Sequence, residues 1–472
     1  MKSINLIVLT CFMLLNISVF AQPEVPDWVA KVGARKFSFK QNSFLANKYG
    51  AVNDGKTLAT KAIQKAIDDC AAKGGGTVSF LPGKYLSGSI FIKSGVNFKV
   101  GKGVELLGSQ HLKDYPEIET RVAGIEMKWP AALINISGQK KAAVSGTGLI
   151  NAQGKPFWDD YWHLRKQYET KGLRWIVDYD AKRPRTIVVD SSSDIIIKDV
   201  NIQQAGFWTV QILYSSYVTV DKVTIRNNVD GHGPSTDGID VDSSLWTLIQ
   251  NCDIDCNDDN FCLKAGRDWD GLRVNKPTQY VVIRNCVARK GAGLVTLGSE
   301  TSGSIRHVWA TDLVGYGTSN ALNIKSAKTR GGTVENIYFG NVTMHGVGHL
   351  IQVNPNWNPA YSYSTLPSGY HADSIPLHWT KLLTHVQPEH KGIPQIQNIH
   401  VYNIKATKAK KAIHAVGFTG TILKNFTLEN FDIETQNAGT IGFAQNWSFN
   451  HINIKAADGL PIKVANSVNV KP

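Results

Sequence analysis

The chain has 472 residues, of which 42% are hydrophobic and only 19% charged, and its formal net charge is +13. The 42 glycines and the low charge content argue against a helical protein and favour strands joined by tight turns. The positive charge suits an anionic partner, but the sequence has no helix-turn-helix, zinc-knuckle or aromatic RNA-binding signature, so we expect no nucleic acid as partner.

The first 21 residues have the features of a secretory signal peptide. Lys2 supplies a positive charge, residues 4–20 are mostly apolar, and Ala21 precedes the expected cleavage site. We therefore expect the mature chain to comprise residues 22–472 and to be secreted or periplasmic. No later stretch of the sequence is long and apolar enough to predict a membrane span.

Residues 45–110 are predicted to form an N-terminal cap module. Apolar residues recur at helical spacing through residues 57–72, and three glycines at 74–76 end the predicted helix. Strand-like runs follow, beginning at residues 77–80. A helix placed before an array of strands would cover the open end of the array, which would otherwise expose core side chains and unpaired backbone.

From about Leu133 onward, short runs of alternating apolar and polar residues recur, frequently with asparagine nearby. Their starts are about 20 to 35 residues apart, a weak self-similarity that is typical of solenoids. The runs lie at residues 195–200, 218–223, 248–252, 281–286, 337–342, 399–404 and 423–428. Because alternate side chains of a strand point to opposite faces, we predict an all-β fold. Its strands would stack as a single-stranded parallel β-helix, with residues 22–472 as one domain. A β-sandwich, the alternative, would need tightly spaced hairpin turns that the sequence lacks.

Two long stretches, residues 155–185 and 354–394, interrupt the repeat. Long loops on a rigid scaffold are frequently functional, and both stretches are rich in aromatic residues that would suit stacking on sugar rings. Packing of each loop by its own aromatic side chains is an equally compatible interpretation. The residues concerned are Trp158, Trp162, Trp175, Trp357, Tyr361, Tyr363, Tyr370 and Trp379.

Three carboxylates stand out in residues 227–266. Asp237 and Asp258 are about 21 residues apart, one turn of the predicted solenoid, so they would lie on adjacent coils beside Asp259. Crowded carboxylates push their pKa values apart, so that one stays protonated while another stays charged. Cleavage of a glycosidic bond requires such an acid and such a base or nucleophile. We therefore predict a glycoside-hydrolysing site here, provided that the chain bends at the Asp258-Asp259 pair.

A calcium site is the main alternative for this segment. Asp253, Asp255 and Asn257 match the beginning of an EF-hand loop, but the sixth position is Asp258 rather than glycine and the twelfth is Lys264 rather than glutamate. An EF-hand is therefore excluded, whereas a calcium site of another kind and a solvated acidic turn stay open.

The five cysteines after the signal peptide are Cys70, Cys252, Cys256, Cys262 and Cys286. An odd number does not predict a disulfide framework, and burial on equivalent coils is the simpler interpretation. A disulfide between the third and fourth of them stays open. No histidine lies at zinc-ligand spacing from them, and we predict no metal.

The chain resembles glycoside hydrolase family 28, the polygalacturonase family of right-handed parallel β-helices with the pectin-lyase-like fold. The resemblance rests on the run KYGAVNDG at residues 48–55, on Ser-Thr-Asp ending at Asp237 where the family has Asn-Thr-Asp, and on the Asp258-Asp259 pair. It implies that Asp258 is the general acid, that Asp237 and Asp259 activate the water, and that the reaction inverts the anomeric centre without a cofactor. Coils stack about 4.8 Å apart, however, which is closer to the carboxylate separation of retaining enzymes.

Two positions depart from the family's pattern. The expected Gly-His-Gly has Ala292 in place of histidine, and the Arg-x-Lys that holds a substrate carboxylate is Asn323-Ile324-Lys325. Asparagine cannot bind a carboxylate with two parallel hydrogen bonds as arginine does. The resemblance therefore implies action on another galacturonate-containing linkage, of rhamnogalacturonan or oligogalacturonide type. The candidate substrate-binding residues are Lys325, His232, Lys264, Arg267 and Asn323.

We thus predict a monomeric inverting glycosidase whose partner is an acidic plant cell-wall polysaccharide or oligosaccharide. Two other hypotheses stay open. A polysaccharide lyase on the same scaffold would use a basic residue, for which Lys264 and Arg267 are candidates. A glycan-binding β-helix with a decayed site is suggested by Ala292 and Asn323.

Overall fold

The computed structural model describes residues 23–472, so the expected signal peptide lies outside the described residues. Within this range, 31 strands form one continuous sheet and two further strands form a separate antiparallel hairpin. Strands of the large sheet pair in parallel with their equivalents on the neighbouring coils, as a parallel β-helix requires. Among the described residues, no helix has the length and apolar character needed to cross a membrane.

The N-terminal cap consists of one helix and seven short strands. Helix α1 (Thr60–Ala72) buries Ile63, Ile67 and Cys70 against the first coil. The helix begins at Thr60 rather than at the predicted residue 57, because the preceding residues form a strand in which Leu58 is exposed. The strands of the cap are β1 (Ser43–Leu45), β2 (Asp54–Leu58), β3 (Gly76–Ser79), β4 (Gly83–Ser87), β5 (Ile90–Phe91), β6 (Val96–Lys99) and β7 (Val104–Gly108).

Three elements stand outside the coils and interrupt the periodic pattern. The first is the antiparallel hairpin of β8 (Glu117–Val122) and β9 (Ile125–Pro130). The others are the two long stretches noted in the sequence, which contain helices joined by irregular segments. We refer to residues 117–130, 155–185 and 354–394 together as the wall. The helices after the cap are α2 (Lys155–Glu169), α3 (Val177–Asp180), α4 (Asp268–Val274), α5 (Pro359–Ser362) and α6 (Leu377–Leu383).

The coils carry the remaining strands, which lengthen toward the C-terminus. They are β10 (Ile134–Ser137), β11 (Lys140–Ser145), β12 (Leu149–Asn151), β13 (Ile187–Asp190), β14 (Ser193–Lys198), β15 (Asn201–Gln203), β16 (Val210–Leu213), β17 (Ser216–Asp221), β18 (Thr224–Arg226), β19 (Ile239–Asp242), β20 (Leu245–Gln250), β21 (Asp253–Asp255), β22 (Phe261–Lys264), β23 (Thr278–Ala288), β24 (Gly293–Leu297), β25 (Ile305–Tyr316), β26 (Asn320–Lys325), β27 (Thr333–His345), β28 (His349–Asn354), β29 (Gln395–Val416), β30 (Leu423–Gly442), β31 (Ala444–Ala456), β32 (Lys463–Ala465) and β33 (Val468–Val470).

The coil interior is a continuous hydrophobic core made by alternate residues of each strand. In β19, for example, Ile239 and Val241 are fully buried in this core. The residues between them point outward, and parallel pairing places them in a row across neighbouring coils. One such row runs through β19, β22, β24, β26 and β28 and consists of Asp240, Cys262, Thr296, Asn323 and Gln352.

Asparagines at the bends explain why this residue recurs beside the repeated runs. Asn285, Asn403 and Asn430 all have positive φ, near 55°, a conformation that asparagine tolerates better than most residues. Asn430 also donates its side-chain amide to Asn403 on the neighbouring coil, at 2.7 Å. Side-chain hydrogen bonds therefore connect the bends of neighbouring coils, as backbone hydrogen bonds connect their strands.

Candidate active site

A cavity of about 290 Å³ lies over the outward row of the coil and is bordered on one side by the wall. The coil contributes the lysines, the amides and most of the carboxylates, the wall contributes Arg174 and Asp178, and both contribute aromatic rings. The main lining residues are Arg174, Asp178, Trp208, Ser235, Asp237, Asn257, Asp258, Asp259, Lys264, Ala292, Glu300, Asn320, Asn323, Lys325, Gln352, Trp357 and Tyr361.

The structure brings Asp237, Asp258 and Asp259 together, with one carboxylate oxygen of each within 4.8 Å of the others. Asp237 and Asp259 belong to adjacent coils, because the Gly238 amide donates to the Asp259 carbonyl at 2.9 Å. Asp258 lies in a bend just before β22, and its Oδ1 accepts the backbone N–H of Asp259 at 2.9 Å. The bend at the pair, which the sequence argument required, is present.

Asp259 is held as a charged carboxylate. Lys325 Nζ lies 2.8 Å from its Oδ2, and Thr296 Oγ1 donates to its Oδ1 at 2.7 Å. Burial alone would raise the pKa of Asp259, but Lys325, Lys264 and these hydrogen bonds outweigh burial and lower it.

The other two carboxylates shift in the opposite direction. Burial, and then the neighbouring Asp259 charge, raise the pKa of Asp258 to about 6. Burial, followed by the carboxylates of Asp240 and Asp258, raises the pKa of Asp237 well above its ordinary value. The cluster therefore combines one carboxylate whose pKa is lowered with two whose pKa values are raised, and burial and the lysines contribute to this division as well as the crowding of the acids.

Asp240 is a fourth acidic residue that the sequence analysis missed. It is fully buried at the first position of the outward row, and burial raises its pKa to about 8. Lys264 Nζ lies 3.6 Å from an oxygen of both Asp237 and Asp240 and 3.4 Å from Glu300. The alternation of apolar and polar residues in β19 is the sequence signal that indicates Asp240, because Asp240 occupies the outward position between two core residues.

Lysine ammonium groups occupy the centre of the acidic cluster. Lys264 lies over the Trp208 ring at 4.8 Å, and Lys325 lies over the Trp357 ring at 4.5 Å. Oxygens of Asp237, Asp258 and Asp259 are close enough to hold a cation. A divalent ion bound there would lie beside both ammonium groups, whose charges already offset those of the carboxylates.

Arg267 does not line the cavity. Its side chain is fully buried and donates to the Tyr179 hydroxyl at 2.8 Å and to the Tyr361 carbonyl at 2.7 Å. It also pairs with Asp268 at 3.2 Å. The expectation that Arg267 contacts substrate is corrected: it links the two long insertions of the wall.

His232 is exposed and lies outside the main cavity. It borders a second groove of about 500 Å³, which shares Asn257 and Ala292 with the main cavity. Its Nδ1 lies 3.2 Å from Asn228 Oδ1. Ala292, which has a small side chain where the family pattern has histidine, lines both the groove and the cavity.

Some aromatic residues of the two insertions pack inside the wall, and others face the cavity, where they could stack on sugar rings. Trp158, Trp175 and Trp379 are buried, and the last two pack edge to face within a second hydrophobic cluster. Trp357 and Tyr361 line the cavity. Most of these rings therefore stabilise the wall, and a minority face the cavity.

The five described cysteines are free and buried, so the open question of a Cys256–Cys262 disulfide is answered in the negative. Cys256 instead donates its thiol to the Asp258 carbonyl at 3.1 Å, which supports the bend that presents the carboxylate pair.

Comparison with known proteins identifies the family. The model described as Glycosyl hydrolases family 28 matches residues 80–376. The chain belongs to this family. It is accordingly a glycosidase, as predicted. A second model, described as Rhamnogalacturonase A/epimerase, pectate lyase-like, matches residues 44–112, which include the cap strands.

Individual relatives of this family 28 chain are distant. A protein described as "Probable polygalacturonase" from Vitis vinifera is 30% identical over 80% of this chain and 73% of that protein. The exo-poly-alpha-D-galacturonosidase of Dickeya chrysanthemi is 27% identical over 63% of this chain and 54% of that protein.

Solved structures support the fold prediction. An exopolygalacturonase from Thermotoga maritima superposes with a TM-score of 0.72 at 24% identity, covering 86% of this chain and 90% of that one. The polygalacturonase of Erwinia carotovora gives 0.64 at 22% identity, covering 90% of this chain and all of that one. The predicted right-handed parallel β-helix of pectin-lyase-like type is confirmed.

Proposed function

We propose that this glycosidase hydrolyses galacturonate-containing pectic glycan, of rhamnogalacturonan or oligogalacturonide type, with Asp258 as general acid. The observation that carries the proposal is the division of protonation within one buried cluster. Asp258 has a pKa raised to about 6, whereas Lys325 and Thr296 keep Asp259 charged. An acid that retains its proton beside a carboxylate that does not is the pair that glycoside hydrolysis uses.

In the proposed reaction, Asp258 protonates the leaving oxygen of the glycosidic bond. Asp259 accepts a proton from the water molecule whose oxygen bonds to the anomeric carbon, and Asp237 orients that water from the adjacent coil. Asp237 shares its proton with Asp240, since burial and mutual repulsion disfavour two charges on that pair. Cleavage requires no metal in this scheme.

We infer that the reaction inverts the anomeric centre. The short distances between carboxylate oxygens would also suit a retaining enzyme. However, both oxygens of Asp259 are engaged, by Thr296 and Lys325. These contacts fix Asp259 in place, and the choice of its role as a base that activates water rests on membership of glycoside hydrolase family 28, for which the sequence resemblance implied inversion.

Two observations disfavour the lyase alternative. Although burial opposes its charge, the surrounding acidic residues raise the pKa of Lys264 well above its ordinary value, so that it keeps its proton and cannot act as the base. Arg267, the other basic candidate, is buried away from the cavity.

The test is a screen of rhamnogalacturonan oligosaccharides, oligogalacturonides and polygalacturonan, with products followed by proton NMR from the first minutes. We expect cleavage of a galacturonate-containing substrate, and a first product whose anomeric configuration is opposite to that of the bond cleaved. A product with an ultraviolet-absorbing double bond would establish a lyase instead. Retention of configuration would overturn the inverting scheme, and saturable binding without any turnover would favour a glycan-binding protein.

A further inference from the structure

Arg174 is the most accessible cation in the cavity. It lies in a short turn of the wall, Arg174–Ile176, and its side chain is 16% exposed, compared with 6% for Lys264 and 8% for Lys325. Among the described residues it donates one hydrogen bond, to Asp178 Oδ2 at 2.9 Å. Its guanidinium rests over the Tyr361 ring at 5.1 Å. Further N–H donors are therefore free to meet a ligand, on a group whose plane is already fixed.

The charge of Arg174 is only partly neutralised. Asp178 is shared between Arg174 and Arg183, whose Nη2 lies 3.2 Å from the same carboxylate. Asp178 also accepts the Ser235 hydroxyl at 3.1 Å. Glu169, a further acidic neighbour at 3.8 Å, pairs more closely with Arg165. The arginines thus outnumber the carboxylates around Asp178, and positive charge is left at this end of the cavity.

The lysines of the coil differ in this respect. Lys264 lies among Asp237, Asp240 and Glu300, and Lys325 is bound to Asp259. Acidic residues equal or outnumber the lysines there, so neither ammonium group is available to a further anion.

The side of the cavity along β26 presents uncharged acceptors. The Oδ1 atoms of Asn320 and Asn323 are buried and have no hydrogen-bond partner among the described residues. Both residues line the cavity. Buried oxygens without partners are costly unless a ligand or water supplies a donor. A carboxylate has no proton to offer them, whereas a sugar hydroxyl has.

We propose that Arg174 binds the carboxylate of a uronic acid residue of the substrate, while Asn320 and Asn323 accept hydrogen bonds from hydroxyl groups of the neighbouring sugar. This inference rests on the proposed hydrolase function of the same cavity and narrows its substrate class. The wall then supplies the arginine that position 323 of the coil lacks. The substrate is a glycan in which a uronic acid is joined to a sugar recognised through its hydroxyls.

The test measures binding without turnover, by calorimetry in an Asp258→Asn background. The probes are a rhamnogalacturonan tetrasaccharide and the same compound with its carboxylates reduced to alcohols. We expect Arg174→Gln to weaken binding of the acidic probe by about 10- to 100-fold and to change binding of the reduced probe by less than about 3-fold. Arg174→Lys should retain part of the affinity. Asn323→Leu should weaken both probes by similar factors.

Lys166→Gln is the matched control, since Lys166 is an exposed cation of the same insertion and does not line the cavity. It should leave both affinities unchanged. Equal losses for the two probes in Arg174→Gln, or no loss for either, would overturn the inference, as would absence of binding of the acidic probe to the background protein. Turnover by the unmodified enzyme is scored separately. An acidic probe that binds through Arg174 but is never cleaved would refute the hydrolase proposal and leave the binding site standing.

Discussion

The coil and the wall of this protein are built on different principles. In the coil, each strand repeats the alternation of its neighbours, and the core is almost wholly aliphatic and aromatic. In the wall and at its junction with the coil, five arginines are fully buried, each with individual partners. They are Arg121, Arg183, Arg185, Arg267 and Arg330. The coil follows a pattern that tolerates substitution within apolar residues, whereas the wall depends on particular pairs.

The division also separates chemistry from recognition. The carboxylates stand on coil positions fixed by parallel pairing and therefore hold their mutual distances. The arginine proposed to bind substrate stands on a non-periodic insertion, where sequence can change without disturbing the coils. The comparison predicts that variants of coil residues lining the cavity alter the reaction, that variants of buried or cavity-lining wall residues alter stability or substrate choice, and that exposed residues away from the cavity alter little.

The largest expected effect tests whether the coil carries the chemistry. Asp258→Asn removes the proposed acid, and kcat should fall by about 100- to 10,000-fold. The exposed coil residue Asp432 provides the control Asp432→Asn, which should retain full activity. Retention of more than a tenth of the parent kcat by Asp258→Asn would remove Asp258 from the acid role.

Asp258→Asn is also expected to change the pH dependence of thermal stability. Because the folded-state pKa of Asp258 is raised to about 6, the stability that its proton provides is complete below pH 4 and is lost as pH rises through 6. Asparagine stays neutral throughout. Asp258→Asn should therefore have a higher Tm than the parent at pH 8 and a similar Tm at pH 4. A lower Tm at pH 8 would contradict the burial cost assigned to this carboxylate.

The next effect tests whether the wall depends on individual partners. Arg267→Met removes the buried donor of the Tyr361 carbonyl and one of the two arginine partners of Asp268, which keeps Arg330, and this should cost about 3–5 kcal/mol. We expect this loss to open the wall locally, measured as faster hydrogen exchange in residues 155–185 and 354–394.

Arg284 is a suitable control on the coil, where it is half-buried and bonds Gln250 on the neighbouring strand. Arg284→Met should cost under about 1 kcal/mol. Equal effects of the two substitutions would show that the wall is no more dependent on single pairs than the coil is.

The contrast also explains what the sequence could predict. Alternation in the repeated runs sufficed for the β-helix, and one-coil spacing sufficed to bring Asp237 to the Asp258-Asp259 pair. Both inferences rest on periodicity, which can be recognised in the sequence without knowing which residues contact each other. The cap helix was predicted for the same reason, although its start was placed too early because Leu58 matched the helical spacing while lying on an exposed strand.

What the sequence analysis missed lies mostly in the wall. The spacing of residues along the chain does not indicate that Arg267 bonds Tyr179 and Tyr361 of the wall, because these contacts join segments that are far apart in the sequence. Arg174 was overlooked for the same reason. Asp240 is different, since the alternation of β19 placed it outward beside the acids, and stricter use of that pattern would have found it.

A smaller effect tests the role of the coil lysines. Lys325→Met removes the ammonium group that lowers the pKa of Asp259, so burial should dominate and raise that pKa. The acidic limb of the kcat/KM profile should move to higher pH, with a loss of about 10- to 100-fold at pH 5 that partly recovers as pH rises. Lys405→Met, an exposed coil variant, should leave the profile unchanged. A uniform loss at every pH would mean that Lys325 binds substrate and does not tune Asp259.

The smallest effect concerns an exposed residue that does not line the main cavity. His232 borders the second groove, which meets the main cavity at Asn257 and Ala292. His232→Ala should raise KM by about 3-fold or less, and only for oligosaccharides long enough to reach the groove, because the acids lie in the other cavity. Kinetics on a ladder of oligosaccharide lengths would measure this. A loss of about 100-fold in kcat on the shortest substrate would instead place His232 in the role of the histidine that Ala292 replaces, and would make the second groove part of the reaction centre.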